Sequence, residues 1–135
     1  MRIEASFLTI AVLALTSVAS TQTPHVPKKA TFVGTWKGKS VCQIAESPCH
    51  DELAAYYIEN ATDPGAYRIR LYKVVQGTEE LMGTLDCRSD AAGEVLTCSQ
   101  NQAALWTWRL TGDAIYGTLI HQGALYRKIN LTRAK

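Results

Sequence analysis

The chain has no excess of charge of one sign, with 14 Lys and Arg residues against 12 Asp and Glu residues. No cluster of Lys and Arg stands out, which argues against a nucleic-acid-binding protein. Hydrophobic residues make up 47% of the sequence, and a disordered chain would contain far fewer. A length of 135 residues fits one globular domain.

Catalytic and metal-binding motifs are missing as well. The sequence contains no H-E-x-x-H, G-x-S-x-G or D-x-D-x-D-G pattern, and no CxxC-type spacing. The segment GTWKGKS, residues 34–40, is one residue shorter than a phosphate-binding P-loop and alternates like a strand. The polar cluster Cys49-His50-Asp51-Glu52 is interpreted as a loop, because neighbouring side chains of an extended chain point to opposite sides. We therefore predict a protein that is not an enzyme, with no catalytic residue, metal site or cofactor.

The N-terminal segment is typical of a secretory signal peptide. Arg2 precedes an apolar run from Ala5 to about Ala19, and Ser17-Val18-Ala19 fits a small-x-small cleavage site. The apolar run is shorter than the ~20 residues that a membrane-spanning helix needs. We predict a signal peptide over residues 1–20, a flexible leader over 21–30 and a folded domain over 31–135. The protein is then exported, either secreted or periplasmic, without a membrane span.

In an oxidising compartment an even set of four cysteines is expected to form two disulfides. Cys87 and Cys98 lie symmetrically about a turn in a predicted hairpin, so they can face each other across adjacent strands. Cys42 and Cys49 would then close a short loop that contains Ser47-Pro48. This geometry favours one of the three pairings that four cysteines allow.

The rest of the chain alternates apolar and polar residues with a period of two, and Gly, Asp, Asn and Pro mark the breaks. Eight strands are predicted, at residues 32–42, 53–60, 66–75, 81–87, 94–99, 104–111, 114–120 and 124–132. Asp51–Tyr57 is the one helical alternative, as a single turn. Eight sequential strands with short connections are most simply arranged as an all-β, antiparallel up-and-down barrel, because closure removes exposed strand edges. A two-sheet sandwich is the alternative, although it usually needs longer crossover connections.

Two short motifs resemble those of the lipocalin-like (calycin) superfamily. Gly34-Thr35-Trp36 lies on the first predicted strand, and Leu125-Tyr126-Arg127-Lys128-Ile129 lies on the last. In those barrels a G-x-W motif packs against an Arg or Lys of the final strand and closes one end. The resemblance implies a structural contact between Trp36 and Arg127. The alternation also directs Arg127 inward among apolar residues, where a Trp face suits a buried guanidinium.

Aromatic residues provide the remaining candidate site. Tyr and Trp carry polar groups on apolar bodies, which suits a ligand pocket at a barrel mouth as well as a packed core. Eight-stranded barrels are just wide enough for side chains or one small ligand, and strands this short favour a mostly filled interior. The candidate ligand-binding residues are Tyr57, Tyr67, Trp106, Trp108 and Tyr116.

Two functions follow from this pattern. The first is a monomeric binding barrel for a small apolar or amphipathic ligand, with no nucleic-acid partner. The second is a protein-binding barrel, because some small exported bacterial barrels that resemble this one inhibit metalloproteases by inserting a flexible N-terminal segment into the active site. Residues 21–30 would play that part here.

Overall fold

The computed structural model describes residues 18–25 and 28–135 and shows a closed antiparallel barrel in which each strand pairs with its neighbours in sequence. The eight strands are β1 (Gly34–Cys42), β2 (Glu52–Asn60), β3 (Ala66–Val75), β4 (Thr78–Ser89), β5 (Val95–Asn101), β6 (Ala104–Thr111), β7 (Ala114–His121) and β8 (Ala124–Arg133). The predicted all-β up-and-down barrel is confirmed, and the sandwich alternative is wrong. The first 17 residues of the predicted signal peptide lie outside the described residues.

The predicted and observed strands differ mainly at their ends. The first strand begins at Gly34 rather than Phe32, and the fourth begins at Thr78 rather than Leu81. The helical turn considered at Asp51–Tyr57 is not formed, because this segment pairs as β2 with both β1 and β3. Among the described residues, no helix is long and apolar enough to span a membrane.

Four hairpins have turns of two residues, and in two of them the backbone conformation explains the sequence. Gln76 and Gly77 join β3 to β4 with φ of 49° and 79°, while Gln122 and Gly123 join β7 to β8 with φ of 50° and 78°. Positive φ at both central residues is the type I′ pattern that matches the twist of antiparallel strands. Both turns lie at the same end of the barrel, which we call the open end.

The opposite end, the closed end, is sealed by aromatic side chains. Phe32 and Trp36 are fully buried there, and the Trp36 indole Nε1–H donates to the Phe32 carbonyl oxygen at 2.7 Å. Tyr67 packs edge-on against Phe32, with the ring centroids 6.0 Å apart. The chain that enters β1 therefore folds back across the barrel end and covers the interior.

Arg133, not Arg127, makes the cation–π contact with Trp36, so the predicted Trp36–Arg127 contact is wrong. The Arg133 guanidinium carbon lies 4.2 Å from the Trp36 ring centroid. Its nitrogens also donate to the Val33 carbonyl at 2.8 Å and the Thr31 carbonyl at 2.6 Å. The guanidinium thus joins the last strand to the segment that covers the closed end.

The antiparallel register of β1 and β8 gives the physical reason. Trp36 lies opposite Arg133, whereas Arg127 lies opposite Cys42, six residues further along β1. Because a strand rises about 3.3 Å per residue, Arg127 is roughly 20 Å from Trp36 along the barrel. The prediction that Arg127 points inward does agree with the structure, because only 11% of its side chain is exposed at the open end.

Both predicted disulfides are present, Cys42–Cys49 and Cys87–Cys98. Cys87 and Cys98 lie directly opposite each other in the β4–β5 ladder. That ladder contains only three residue pairs, while β3 and β4 share ten. The Cys87–Cys98 bond therefore fastens the least extensively paired seam of the barrel. Two disulfides are consistent with an oxidising environment.

Candidate functional site: a cavity at the open end

The open end of the barrel contains an interior cavity of about 190 Å³. Its wall combines aliphatic and aromatic side chains with a small number of polar ones. The lining residues are Ser40, Glu52, Tyr56, Leu71, Met82, Gly83, Gln100, Trp106, Leu119 and Arg127. These come from all eight strands, so the cavity is a product of barrel closure and not of one loop.

Arg127 forms the charged part of this wall. One of its terminal nitrogens donates to the Ser40 hydroxyl at 3.2 Å and to the His50 carbonyl at 3.0 Å. The other lies 3.4 Å from a Glu52 carboxylate oxygen, and both side chains of this ion pair are largely buried. A buried guanidinium needs such partners, since an unpaired charge is costly to desolvate. The ion pair leaves the cavity wall with no net charge.

The loop between β1 and β2 is attached at the same place. The Cys42–Cys49 disulfide closes it, and the Asp51 carboxylate accepts the backbone N–H of Cys42 at 2.9 Å. The His50 carbonyl accepts from Arg127, which connects the loop to the barrel interior. The polar cluster at residues 49–52 thus holds a loop, as the sequence predicts, and Glu52 in addition reaches the cavity.

Trp106 and Trp108 form an aromatic floor below these polar groups. Their rings are stacked, with centroids 5.5 Å apart and planes inclined by 11°. Tyr56 packs edge-on against Trp108 at 5.7 Å. The indole N–H of each tryptophan is buried without a hydrogen-bond acceptor from the described residues. A buried donor left in this state costs about 1–3 kcal/mol.

Burial raises the pKa of the Tyr56 phenol from 10.0 to about 12. The Ser40 hydroxyl and Arg127 act in the opposite direction, but burial outweighs both. The phenol is therefore neutral throughout the physiological range and is a hydrogen-bonding group, not a base, in the cavity wall.

The raised Tyr56 pKa predicts a pH-dependent stability. Because the folded protein holds this proton more tightly than the unfolded chain does, the contribution is complete below pH 10 and is lost as the pH rises through about 12. We expect the free energy of unfolding to fall by roughly 1.4 kcal/mol per pH unit across that window from this group alone. Urea titrations of wild type and Tyr56→Phe at several alkaline pH values measure the difference. Parallel pH profiles for the two proteins would contradict the inward placement of this phenol.

The five residues predicted to bind a ligand do not lie together. Trp106 lines the cavity, and Trp108 lies beneath it, 1% exposed, as part of the core. Tyr67 belongs to the closed end, where it contacts Phe32. Tyr57 and Tyr116 lie on the outer surface: the Tyr57 hydroxyl donates to Glu79, and Tyr116 is 54% exposed. The prediction that Tyr57, Tyr67 and Tyr116 line the barrel cavity is wrong.

Sequence reasoning missed Ser40, Glu52 and Tyr56 and assigned Arg127 to the wrong end. A signal for Ser40 exists, since the period of two places it on the face of Trp36, whereas Tyr56 is distinguished from Tyr57 only by the β1–β2 register, in which it lies opposite Trp36. Choosing Tyr57 instead of Tyr56 is a one-residue error of phase, and such an error moves a side chain to the other face.

Grooves on the outer surface are larger than this cavity but differ in character. One of about 490 Å³ lies where β3, β4 and β5 meet and is lined by Tyr67 and by exposed Asp86, Arg88 and Thr97. Small-molecule sites are generally concave and enclose most of the ligand. The interior cavity is the more enclosed of the two.

No protein-family model, curated protein or solved structure matches the chain. The eight-stranded antiparallel barrel is compatible with a calycin-like fold. A function for the chain is therefore inferred from the geometry of the cavity and of the surfaces around it.

Proposed function

We propose that the protein is an exported, monomeric, non-enzymatic barrel of the lipocalin-like type that binds a small amphipathic ligand in its open-end cavity. The observation that carries the proposal is the cavity itself, which has a volume of about 190 Å³. Trp106 and Leu119 line it together with the Glu52–Arg127 ion pair. An apolar wall with a few polar groups is the usual composition of a small-ligand site.

The size of the cavity limits the ligand. An engineered apolar cavity of about 150 Å³ in another protein binds benzene, so a volume of this order accommodates one aromatic ring with a short substituent. Hydrogen-bonding groups at Ser40, Tyr56 and Arg127 favour a substituent that is polar. A hydroxylated or carbonyl-bearing aromatic compound of one ring combines both properties.

Filling the cavity should abolish binding. Leu119 is 7% exposed and lines the cavity, so Leu119→Trp places an indole in the space that a ligand would occupy. We expect affinity for benzyl alcohol to fall at least about tenfold, since the bound ring has no volume left. Amide chemical shifts followed by NMR during titration with benzyl alcohol measure the effect and identify the site.

The matched control is Leu105→Trp. Leu105 lies on the neighbouring strand, is 43% exposed and faces outward, so the same substitution leaves the cavity unchanged. Affinity within about twofold of wild type is expected for this variant. Equal losses in both variants, or shifts confined to residues outside the cavity, would refute the proposed site.

A protein-binding function is the second candidate, and the leader favours it. Described leader residues 21–25 and 28–30 are exposed and form no regular structure. The leader joins the barrel at the closed end, where the Lys29 ammonium donates to the Ala92 carbonyl at 2.6 Å and Phe32 is buried. An exposed segment without regular structure that is attached to a rigid barrel is able to enter a cleft in a partner such as a secreted protease.

Deleting residues 21–28 tests this candidate. The deletion spares Lys29 and Phe32, so the barrel should keep its stability and its benzyl alcohol affinity. Inhibition of a metalloprotease secreted by the same organism should disappear if the leader is the inhibitory segment. Inhibition that survives the deletion would exclude the leader mechanism.

A further inference from the structure

Four neighbouring strands of the barrel contain no acidic residue. β6, β7, β8 and β1 include neither Asp nor Glu, although they carry six Lys and Arg residues, namely Lys37, Lys39, Arg109, Arg127, Lys128 and Arg133. Arg127 and Arg133 turn inward, as described above. The other four are exposed on the outer wall. Carboxylates are therefore restricted to β2, β4 and the connecting segments in the described barrel.

The strand registers show how these outward residues are arranged. Arg109 lies opposite Tyr116, Tyr116 opposite Asn130, Asn130 opposite Lys39, and Lys39 opposite Leu53. Directly opposite side chains on neighbouring strands have Cβ atoms about 4.5–5.5 Å apart. The five residues therefore form one continuous row across β6, β7, β8, β1 and β2. Lys37 and Lys128 flank it.

We call this surface the basic face: Lys37, Lys39, Leu53, Arg109, Tyr116, Lys128 and Asn130. In the part of the chain that the structure describes, none of its four cations lies within 4.0 Å of a carboxylate, whereas Arg68 and Arg88 on the other side of the barrel both do. The Asp90 carboxyl at the β4–β5 turn has a lowered pKa mainly because backbone N–H groups donate to it, with Arg109 contributing least. Arg109, at one edge of the face, thus has an acidic neighbour.

Apolar side chains alternate with these cations. Leu53 is 53% exposed and Tyr116 is 54% exposed, in the same row as Lys39. Two shallow grooves border the lysines, one of about 420 Å³ lined by Leu53 and Val74 and one of about 290 Å³ lined by Val41 and Tyr116. Exposed apolar residues grouped in this way mark an interaction surface more often than single ones do.

We propose that the basic face docks the barrel onto an anionic phospholipid surface. The lysines attract lipid phosphates and carboxylates, and their long side chains extend past the apolar residues to the headgroups. Leu53 enters the headgroup–acyl boundary, while Tyr116 occupies the interfacial position that its amphipathic ring prefers. The docking is peripheral and reversible, and it is independent of whether the cavity binds a ligand.

A lipid surface fits this face better than an acidic protein does. Charge complementarity alone would suit either partner. A lipid surface in addition has an apolar layer directly beneath its charged headgroups, and the exposed Leu and Tyr side chains between the lysines can be buried there. This face has only one arginine for bidentate recognition of carboxylates, because three of its four cations are lysines. Lysines are point charges that suit a laterally mobile layer of headgroups.

Cosedimentation of the full chain with phosphatidylcholine vesicles tests the proposal. The bound fraction should rise steeply as phosphatidylglycerol is increased from none to about half of the lipid, and should fall as NaCl is raised from about 0.05 M to about 0.5 M. Lys37→Gln/Lys39→Gln should lower the partition coefficient about 25-fold, that is, about fivefold per charge. Tyr116→Ser should lower it without any change in charge.

Arg68→Gln/Arg88→Gln is the matched control, because it removes the same charge from exposed positions on β3 and β4. We expect the partition coefficient of this variant to fall by less than about threefold. All these substitutions are at exposed positions, and circular dichroism verifies that the barrel is intact.

Three results would overturn the proposal. The first is a bound fraction that does not depend on phosphatidylglycerol. The second is an equal loss of vesicle binding in Lys37→Gln/Lys39→Gln and Arg68→Gln/Arg88→Gln. The third is binding of soluble poly-L-glutamate by a protein that fails to sediment with vesicles, which would assign the basic face to an acidic protein instead.

Discussion

Replacing Gly38 by alanine should lower the free energy of unfolding by about 3 kcal/mol or more. A Cβ at this position would overlap the carbonyl oxygen of Asn130 and would lie 2.9 Å from the Leu131 Cα. Both atoms belong to the main chain of β8, so relief requires β8 to move away from β1. Since these two strands close the barrel, the substitution strains the seam on which closure depends.

Gly83→Ala is the control for this prediction. The nearest atom to a Cβ at Gly83 is the side-chain Nε2 of Gln100, 3.9 Å away, which is ordinary contact. A change of less than about 1 kcal/mol is expected there, since the backbone does not have to move. Urea unfolding of both variants measures the difference. Equal midpoints for Gly38→Ala and wild type would show that β1 and β8 are not as closely paired as described.

Loss of the Cys87–Cys98 disulfide is the second change with a large expected effect. The bond spans 11 residues, and a loop of that size corresponds to about 3 kcal/mol of stabilisation. The β4–β5 seam has only three ladder pairs to hold it together otherwise. For a domain whose total stability is of order 5–15 kcal/mol, we expect Cys87→Ala/Cys98→Ala to unfold at a much lower urea concentration.

Cys42→Ala/Cys49→Ala provides the comparison. This disulfide closes a loop between β1 and β2 that lies outside the strand pairing, and the Asp51–Cys42 hydrogen bond remains when it is removed. Removal of the Cys42–Cys49 bond should lower the free energy of unfolding less than removal of Cys87–Cys98, because fraying of residues 43–50 does not open the barrel wall. A larger loss of stability from the Cys42–Cys49 pair would contradict the role assigned to the β4–β5 seam.

The fold could be predicted because its determinants are local. Period-two alternation and the Gln-Gly turns at Gly77 and Gly123 are visible in short windows of sequence, and they define the hairpins. Cys87 and Cys98 are symmetric about the turn that joins β4 to β5, so their pairing is a local property as well. Eight hairpin-connected strands then have few ways to bury their apolar faces.

The contact of Trp36 with Arg133 could not be predicted, because it depends on the pairing of the first strand with the last. No turn connects β1 to β8, so nothing in the sequence between them fixes their register. Arg127 and Arg133 are separated by six residues and both point inward, which leaves either one as a partner for Trp36. The register is a global consequence of closing the barrel.

The cavity wall was only partly predictable for a related reason. In β2 the run Leu53-Ala54-Ala55-Tyr56-Tyr57 is apolar on both faces, so alternation does not distinguish Tyr56 from Tyr57. A bulge in β4 also shifts the pairing between Leu71 and Tyr72, and Met82 reaches the cavity where that shift occurs. Trp106, on the cleanly alternating β6, faces inward and is 8% exposed.

Native mass spectrometry of protein purified from an oxidising host tests the central claim, that the open-end cavity binds a small molecule. We expect an adduct of one small amphipathic compound, either carried from the host or formed on incubation with benzyl alcohol. The adduct should be released on denaturation and absent from Leu119→Trp, while Leu105→Trp retains it. A bare polypeptide mass under both conditions, or an adduct that Leu119→Trp retains, would contradict the claim.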